Sequence, residues 1–276
     1  MSYIQSGNSS SPVSLFYQDW GTGNPVVFIH GWPLSHEMWE YQLNELPKHG
    51  LRCIAYDRRG FGKSGKPWQG YDYDTLAGDL KAVLDELDLN NVTLVGFSMA
   101  GGEIARYFGL YNGARVSKVV LVSSVLPYLL KSADNSDGVP RDVFDNIISK
   151  IADDRADFLS SFGKAFFGVS IVSHPVSQPM LDWNQTMALL GSPKATMDCV
   201  RSYSETDFRN DVPKINVPAL VIHGDNDQTV PMKISSDRTA AMLGDAEYIV
   251  YKGAPHGLYF TDKERLNADL LKFINK

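Results

Sequence analysis

The hydrophobic positions of the chain fall into two kinds of segment that alternate along it. Short runs rich in Val and Ile are almost free of polar residues, whereas the longer segments between them repeat apolar residues every three or four positions. Continuous apolarity is typical of strands that are buried on both faces of a parallel sheet. The pattern therefore predicts strands at 26–29, 52–56, 92–95, 118–122, 219–222 and 248–251.

The segments between these runs predict helices. Helical spacing is clear in "DTLAGDLKAVLDELDL" (74–89) and "GGEIARYFGLY" (101–111), and "MWEYQLNELPKHG" (38–50) ends in a glycine that stops a helix. Strands that alternate with helices in this way predict an α/β fold.

The alternation breaks between about residues 125 and 206. Here "RDVFDNIISKIADDRADFLSSFGKAFFG" (141–168) and "PMLDWNQTMALLGSPKATMDCVRSY" (179–203) have helical spacing and no buried strand. We therefore predict a core formed by 1–124 and 206–276, with a helical cap inserted at 125–205. The aromatic and Met content of the insertion favours a lid over a pocket rather than a passive embellishment.

Composition narrows the classes of partner. A chain of 276 residues with 43% hydrophobic residues can bury a large core, and its formal net charge of -6 provides no basic field for nucleic acid. The N-terminus lacks signal-peptide features and no run of 18 apolar residues occurs, so we expect a cytoplasmic protein without a membrane segment. Cys53 and Cys199 lie far apart in the sequence and are expected to be free thiols.

The stretch "GFSMA" (96–100) differs by one methyl group from the G-x-S-x-G pattern that holds a nucleophilic serine on a strand-to-helix turn. On its own it also fits a glycine-rich phosphate loop or a tight turn. A nucleophilic Ser98 needs a base that is oriented by a third group. His256 follows the last predicted strand, and both Asp225 and Asp227 follow another, so the chain order is Ser, Asp, His.

Five motifs together resemble the α/β-hydrolases, specifically the branch of cofactor-free bacterial haloperoxidases and aryl esterases. They are "FIHGWP" (28–33), "YDRRGFGKS" (56–64), "GFSMAGGE" (96–103), "HGDNDQTVP" (223–231) and "GAPHGL" (253–258). The resemblance implies a mostly parallel eight-stranded sheet flanked by helices, with a helical cap. It also implies an enzyme that uses no cofactor and no metal.

The same resemblance assigns catalytic roles. It selects Asp227, the second Asp of "GDND", as the acid beside Ser98 and His256, and it leaves Asp225 as a turn residue. Ala100 is then interpreted as a small residue that replaces the last Gly of the G-x-S-x-G turn, which carries the nucleophile.

The resemblance further implies an oxyanion hole and a pocket. The backbone N–H groups of Trp32 and Met99 are the expected oxyanion donors. Pro33 makes "HGWP" similar to a perhydrolase loop, although a rigid turn explains it as well. Residues expected to contact substrate are Trp32, Pro33, Phe97, Met99, Val125, Phe162, Phe166 and Leu258, with Ile171 as a further apolar candidate.

The expected reaction is hydrolysis of a small carboxylic ester through an acyl group on Ser98. If hydrogen peroxide replaces water, the product is a peracid, and the partners are then a small ester or carboxylic acid with water or peroxide. A C–C hydrolase or lactonase would use the same three residues, and a non-catalytic ligand sensor on this fold is the alternative from another class. Members of this branch often form homo-oligomers, although no self-association pattern occurs in the sequence.

The remaining polar candidates have structural interpretations. His30 and His223 precede Gly at strand ends without metal-ligand spacing, so loop hydrogen bonding is favoured over metal binding. Arg58 and Arg59 are expected to form ion pairs rather than an anion site. Surface positions are expected for His36, His49 and His174.

Overall fold

The computed structural model describes residues 2–7 and 12–276. In these residues one sheet contains eight strands: β1 (Tyr3–Ser6), β2 (Val13–Trp20), β3 (Asn24–Ile29), β4 (Leu51–Tyr56), β5 (Val92–Phe97), β6 (Val116–Val122), β7 (Ala219–Gly224) and β8 (Glu247–Tyr251). Their order across the sheet is β1-β2-β4-β3-β5-β6-β7-β8. Only the pairs β1 with β2 and β2 with β4 are antiparallel. The predicted fold, a mostly parallel eight-stranded sheet, is confirmed.

The six strands predicted from apolar runs are β3 to β8, and the pattern missed β1 and β2. In β2 the buried Val13 and Leu15 alternate with half-buried Ser14 and Phe16. Such alternation is typical of an antiparallel strand near a sheet edge, where one face is only partly covered. A search for continuous apolarity therefore passes over it.

The described residues contain nine α-helices: α1 (Glu40–Glu45), α2 (Tyr73–Glu86), α3 (Ala100–Tyr111), α4 (Arg141–Phe166), α5 (Gln178–Leu189), α6 (Pro193–Glu205), α7 (Ser236–Leu243), α8 (Leu258–Thr261) and α9 (Lys263–Ile274). Short 3-10 helices lie at His36–Trp39, Leu46–His49, Val212–Lys214 and Met232–Ile234.

The single helix predicted over 38–50 is wrong in detail. The structure divides this segment into a 3-10 turn, α1 and a second 3-10 turn that contains Pro47. Because Pro47 has no N–H to donate, an α-helix cannot continue through it with its bonds intact. The segment does end at Gly50, whose φ of 76° is left-handed and suits glycine.

The sheet separates two apolar cores, as two-sided burial requires. Along β3, Val27 and Ile29 face the core that contains α2 and α3, whereas Val26 and Phe28 face the core that contains α1 and α9. All four side chains are fully buried. The continuous apolarity of β3 is thereby explained, since neither face of this strand meets water.

Between β6 and β7 the chain leaves the sheet and forms α4, α5 and α6. The helical pattern of 141–168 includes a break, because Asp154 has non-helical backbone angles (φ -143°, ψ 92°) inside α4. The Asp154 carboxylate accepts the N–H of Asp157 at 3.0 Å and so caps the second half of the helix. α5 and α6 are each preceded by a serine, Ser177 and Ser192 respectively, whose hydroxyl accepts an N–H of the first turn.

Buried ion pairs support the loop after β4. Arg58 pairs with Glu103 of α3, and Arg59 pairs with Asp79 of α2 at 2.6 Å, so the structural interpretation of both arginines is confirmed. His30 accepts the backbone N–H of Arg58 at 2.9 Å. Burial, and then the nearby Arg58 charge, lower the pKa of His30 to about 3, so its ring stays neutral and able to accept this bond.

The expected surface position of His36 is wrong. Its side chain is 1% exposed and its Nδ1 lies 2.7 Å from the buried carboxylate of Asp57. The position follows a short turn after β3 rather than a solvated loop, which the polar neighbours in the sequence do not reveal. His49 and His174 are exposed as expected.

Two further expectations concern the thiols and the membrane. Cys53 and Cys199 are buried free thiols, as predicted. Within 2–7 and 12–276, none of the helices combines the length and apolarity needed to cross a membrane. In the same residues no group of three or more His, Cys, Asp or Glu side chains is arranged to hold a metal ion.

Candidate active site

Ser98 lies on the sharp turn between β5 and α3. Its φ of 55° is left-handed, a conformation that is costly for a residue with a side chain and persists only where its surroundings enforce it. The Ser98 N–H donates to Val122 O at 2.8 Å, and its carbonyl accepts the N–H groups of Gly101 at 3.1 Å and Val125 at 3.2 Å. These bonds hold the strained turn, so the hydroxyl stands at the carboxyl end of the sheet.

Small residues make this turn possible. A Cβ atom at Gly96 would lie 2.7 Å from Ile104 and 3.2 Å from the backbone of Ala100, which is too close for a side chain. A Cβ at Gly31 would meet the Phe97 ring at 2.5 Å and the Ser98 side chain at 3.3 Å. The loop after β3 thus approaches the Ser98 turn closely, and Ala100 occupies its buried position without disturbing this approach.

His256 bridges Ser98 and a carboxylate. Its Nε2 lies 3.0 Å from Ser98 Oγ, and its Nδ1 lies 2.5 Å from Asp227 Oδ2. The ring is 1% exposed and is flanked by Phe97 and Phe166, whose centroids lie 4.8 Å and 4.9 Å away. Because an anionic Asp227 can only accept, Nδ1 carries a proton and Nε2 is free to take one from Ser98.

The carboxylate beside His256 is that of Asp227. Its Oδ1 accepts the N–H groups of Thr229 and Val230, each at 2.8 Å, which fixes its orientation. Burial opposes ionisation, but the charge interaction with His256 and hydrogen bonds from His223 and His256 outweigh it. These contacts hold the pKa of Asp227 well below its usual range, so it remains an anion at neutral pH.

Asp225, the second carboxylate left open by the spacing, lies elsewhere. Its side chain is exposed and accepts the backbone N–H of Gly253 at 2.5 Å. It therefore joins the loops after β7 and β8 and does not contact His256.

Two backbone N–H groups are available near Ser98. Among the hydrogen bonds of the described residues, those of Trp32 and Met99 have no acceptor. Both residues are almost fully buried, at 4% and 0% exposure. Unpaired N–H groups beside a nucleophile can bind the anionic oxygen of a tetrahedral intermediate. The peptide bond between Trp32 and Pro33 is cis.

A cavity of about 230 Å³ opens onto Ser98 and His256. Of the residues expected to contact substrate, Trp32, Met99, Val125 and Phe162 line it. Most of the residues that line the cavity were not predicted from the sequence. They come from the chain after β6, from α4 and α6 and from the loop after Asp227. These residues are Leu129, Val139, Val143, Phe144, Ile147, Ala165, Tyr203, Gln228, Thr229, Val230 and Pro231.

Five apolar residues expected at the pocket are not among its walls. Phe97 packs against His256 at a tilt and Phe166 packs against it edge to face, and Leu258 is fully buried at the start of α8. Pro33 does not reach the cavity, and Ile171 is 97% exposed on the loop after α4. A residue next to Ser98 or His256 in sequence can lie in the core as readily as in the pocket, because adjacent side chains point in different directions.

The helices after β6 are bonded to the loop that contains Trp32 and to the loop that contains His256. The indole N–H of Trp32 donates to Thr196 O of α6 at 2.9 Å. The N–H of Gly257, next to His256, donates to Phe166 O at the end of α4 at 2.8 Å. Helical spacing alone could have indicated which faces of α4 and α6 are apolar, but not which loops they contact.

Comparison with known proteins identifies the family. Residues 24–263 match the family model described as alpha/beta hydrolase fold. The chain is 43% identical to a non-heme chloroperoxidase of Kitasatospora aureofaciens, with 96% of this chain and 97% of the relative covered. It is 40% identical to a bifunctional esterase/perhydrolase of Acinetobacter calcoaceticus, with 95% and 96% covered.

A solved structure extends this similarity to the backbone. The crystal structure of a bromoperoxidase from Bacillus anthracis matches over 100% of both chains, with a TM-score of 0.95 and 45% identity. Fold, length and sequence thus agree over the whole chain. The protein belongs to the α/β-hydrolase family of enzymes, in the branch that contains the non-heme haloperoxidases.

Proposed function

We propose that the protein is a serine esterase for small uncharged esters that also transfers the acyl group to hydrogen peroxide. The observation that carries this proposal is the continuous contact from Ser98 through His256 to Asp227 beneath an apolar cavity. The relatives named chloroperoxidase and esterase/perhydrolase support both the ester hydrolysis and the acyl transfer to peroxide.

The first half of the reaction forms an acyl-enzyme. His256 Nε2 takes the proton of Ser98 as Oγ attacks the ester carbonyl, and Asp227 stabilises the resulting imidazolium. The N–H groups of Trp32 and Met99 bind the oxyanion. The intermediate then collapses, the C–O bond to the alcohol breaks, and the leaving oxygen takes the proton from Nε2.

The second half releases the acyl group. Nε2 removes a proton from water or from hydrogen peroxide, the oxygen attacks the acyl carbonyl, and Ser98 regains its proton as the C–O bond to Oγ breaks. Water gives a carboxylic acid and peroxide gives a peracid. Released peracid oxidises a halide to hypohalous acid and returns to the carboxylic acid, so halogenation takes place away from the enzyme.

The cavity supports uncharged substrates. Its described walls contain no Asp, Glu, Lys or Arg, and the polar side chains other than Ser98 and His256 are Gln228, Thr229 and Tyr203. Burying an unpaired charge against such walls is costly, so charged acyl groups are disfavoured. A cavity of about 230 Å³ accommodates a small acyl or aryl group.

The helical segment is proposed to act as the lid of this site. We assign 125–205 to the cap and 1–124 with 206–276 to the core, since α4 and α6 line the cavity and bond to the loops after β3 and β8. A perhydrolase-specific role of Pro33 and a homo-oligomeric state stay predictions from the family resemblance, and the cytoplasmic location stays a prediction from the sequence.

Partition of the acyl group tests the function. With an aryl acetate as substrate, adding hydrogen peroxide should convert part of the product from acetic to peracetic acid, in a ratio that rises with peroxide concentration. The released phenol, the two acids and bromination of a dimedone reporter measure this partition, with peroxide and ester alone as the control. Rapid hydrolysis without any peracid would contradict the perhydrolase activity, and absence of hydrolysis would contradict the esterase.

A further inference from the structure

A second histidine contacts the carboxylate of the proposed triad. His223 lies near the end of β7 and is fully buried. Its Nε2 lies 3.0 Å from Asp227 Oδ2, the same oxygen that contacts His256. The proposed reaction does not use this side chain.

The hydrogen bonds of His223 fix its tautomer and its orientation. Nε2 lies 2.9 Å from Val230 O, and Nδ1 lies 2.5 Å from the hydroxyl of Ser236 on α7. Because a carbonyl oxygen only accepts, Nε2 must carry a proton and donate it there. In the neutral ring Nδ1 then accepts the Ser236 hydroxyl, so both ring nitrogens are held.

This arrangement also holds the turn that orients Asp227. The carbonyl of Val230 accepts the hydrogen bond from His223 Nε2–H, and the N–H of Val230 donates to Asp227 Oδ1 at 2.8 Å. His223 therefore supports one carboxylate oxygen through the backbone and places a polarised N–H beside the other. Both effects act on the group that orients His256.

We propose that His223 is a positioning residue that fixes Asp227 and tempers its negative charge toward His256. This inference rests on the proposed function, because it assumes that His256 is the base for Ser98. His223 does not touch the cavity and acts only through the carboxylate.

The surroundings of the pair leave few other groups that could produce the same effect. His256, from the loop after β8, and His223, from β7, are the titratable side chains that face Asp227. Backbone N–H groups cover Oδ1. The uncharged rings of Phe97 and Phe166 pack against His256, and the hydroxyl of Ser236 faces His223.

The sign of the expected change follows from charge. Without the His223 N–H, more negative charge on Oδ2 is directed at His256, which stabilises the protonated form of that ring. Protonated His256 cannot take the Ser98 proton. The acid limb of the pH profile, where kcat/KM falls as His256 becomes protonated, must therefore move to higher pH. Without His223, Asp227 is also held less firmly, and we expect this to lower kcat/KM on the pH-independent plateau of the profile.

The test compares His223→Leu, which removes the donor, with His223→Gln, which keeps an N–H donor near the Nε2 position and does not titrate. For aryl acetate hydrolysis we expect His223→Leu to lower plateau kcat/KM about 10- to 100-fold. Its acid limb should move up by about 0.5 pH units or more. His223→Gln should restore the acid limb to its wild-type position.

Two further variants keep the test decisive. His36→Gln alters another buried histidine that contacts a carboxylate, outside the site, and should leave the acid limb in place. Ser236→Ala weakens the His223 N–H as a donor and should move the limb in the same direction by less, which decides the matter if His223→Leu does not fold. Circular dichroism and fluorophosphonate titration give the folded and active fractions.

The outcomes separate this inference from the proposed function. An unmoved acid limb in His223→Leu and Ser236→Ala, with hydrolysis by the wild type intact, would overturn the role of His223 alone. Equal shifts in His223→Leu and His223→Gln would also overturn it, because the N–H would then be irrelevant. Loss of the esterase proposal would instead show as a wild-type protein without hydrolysis.

Discussion

Replacing Ser98 with alanine should lower kcat/KM for aryl acetates by about 10⁴-fold or more. The substitution removes the only atom that forms the acyl-enzyme, while the cavity and the two oxyanion N–H groups stay in place. Substrate binding should therefore persist and the loss should fall on kcat. Peracid formation and bromination should disappear together with hydrolysis, because both depend on the same acyl group. Initial rates with and without peroxide measure all three.

Ser124 provides a matched control. It is a fully buried serine that follows β6, and its hydroxyl accepts the N–H of Leu126 at 3.2 Å without contacting His256. Ser124→Ala makes the same replacement of a buried serine by alanine as Ser98→Ala, and its activity should stay within a few fold of wild type. Hydrolysis that survives Ser98→Ala, or bromination that survives when hydrolysis is lost, would contradict a shared acyl-enzyme.

Asp227→Asn should lower kcat by about 10³- to 10⁴-fold with little change in fold. The carboxamide can present its N–H to His256 Nδ1, which favours the tautomer whose proton sits on Nε2 and so blocks transfer from Ser98. It also removes the charge that stabilises the imidazolium. Rates measured over a range of pH and intact far-ultraviolet circular dichroism distinguish this loss from unfolding.

Asp225→Asn is the matched substitution two residues away. The Asp225 side chain is exposed and, among the described contacts, accepts only the backbone N–H of Gly253. An asparagine here keeps the acceptor oxygen, and exposed substitutions usually change stability by less than about 0.5 kcal/mol. We therefore expect kcat of Asp225→Asn to stay within about threefold of wild type. If Asp225→Asn proved to be the damaging change and Asp227→Asn the mild one, the assignment of the acid would be wrong.

The sheet could be predicted from the sequence most directly where its strands are buried on both faces. β3, β4, β5 and β7 are buried along most or all of their length, whereas β2 alternates because one of its faces is only partly covered. The edge strand β8 was predicted from its apolar residues although most of it is only half-buried. The family resemblance, rather than periodicity, supplied the count of eight strands. The break at Asp154 within α4 was not predicted, because the apolar spacing continues across it.

The triad could be proposed from the sequence because each member follows a different strand, and strand ends of a parallel sheet meet at one edge. Spacing alone left Asp225 and Asp227 open, and the turn from 227 to 230 decides which of them faces His256. His223 was expected to be structural, but its contact with Asp227 depends on the packing of β7 against that turn.

The pocket walls were the least predictable part. Phe144 and Tyr203 lie on helices whose apolar faces can be identified from spacing, yet their place in the cavity depends on how α4 and α6 cross over Ser98. Phe97 is adjacent to Ser98 in sequence but packs against His256, outside the cavity. Such tertiary contacts have no local signature in the chain.

The most direct measurement of the central claim, that Ser98 accepts the acyl group, is covalent labelling with a fluorophosphonate. Attack by Ser98 Oγ would displace fluoride and leave a stable phosphonyl ester, which intact-mass and peptide analysis can locate. We predict one adduct per chain, on Ser98, formed in parallel with loss of ester hydrolysis and absent in Ser98→Ala. An adduct on another residue, or full hydrolytic activity in protein whose Ser98 is completely labelled, would contradict the claim.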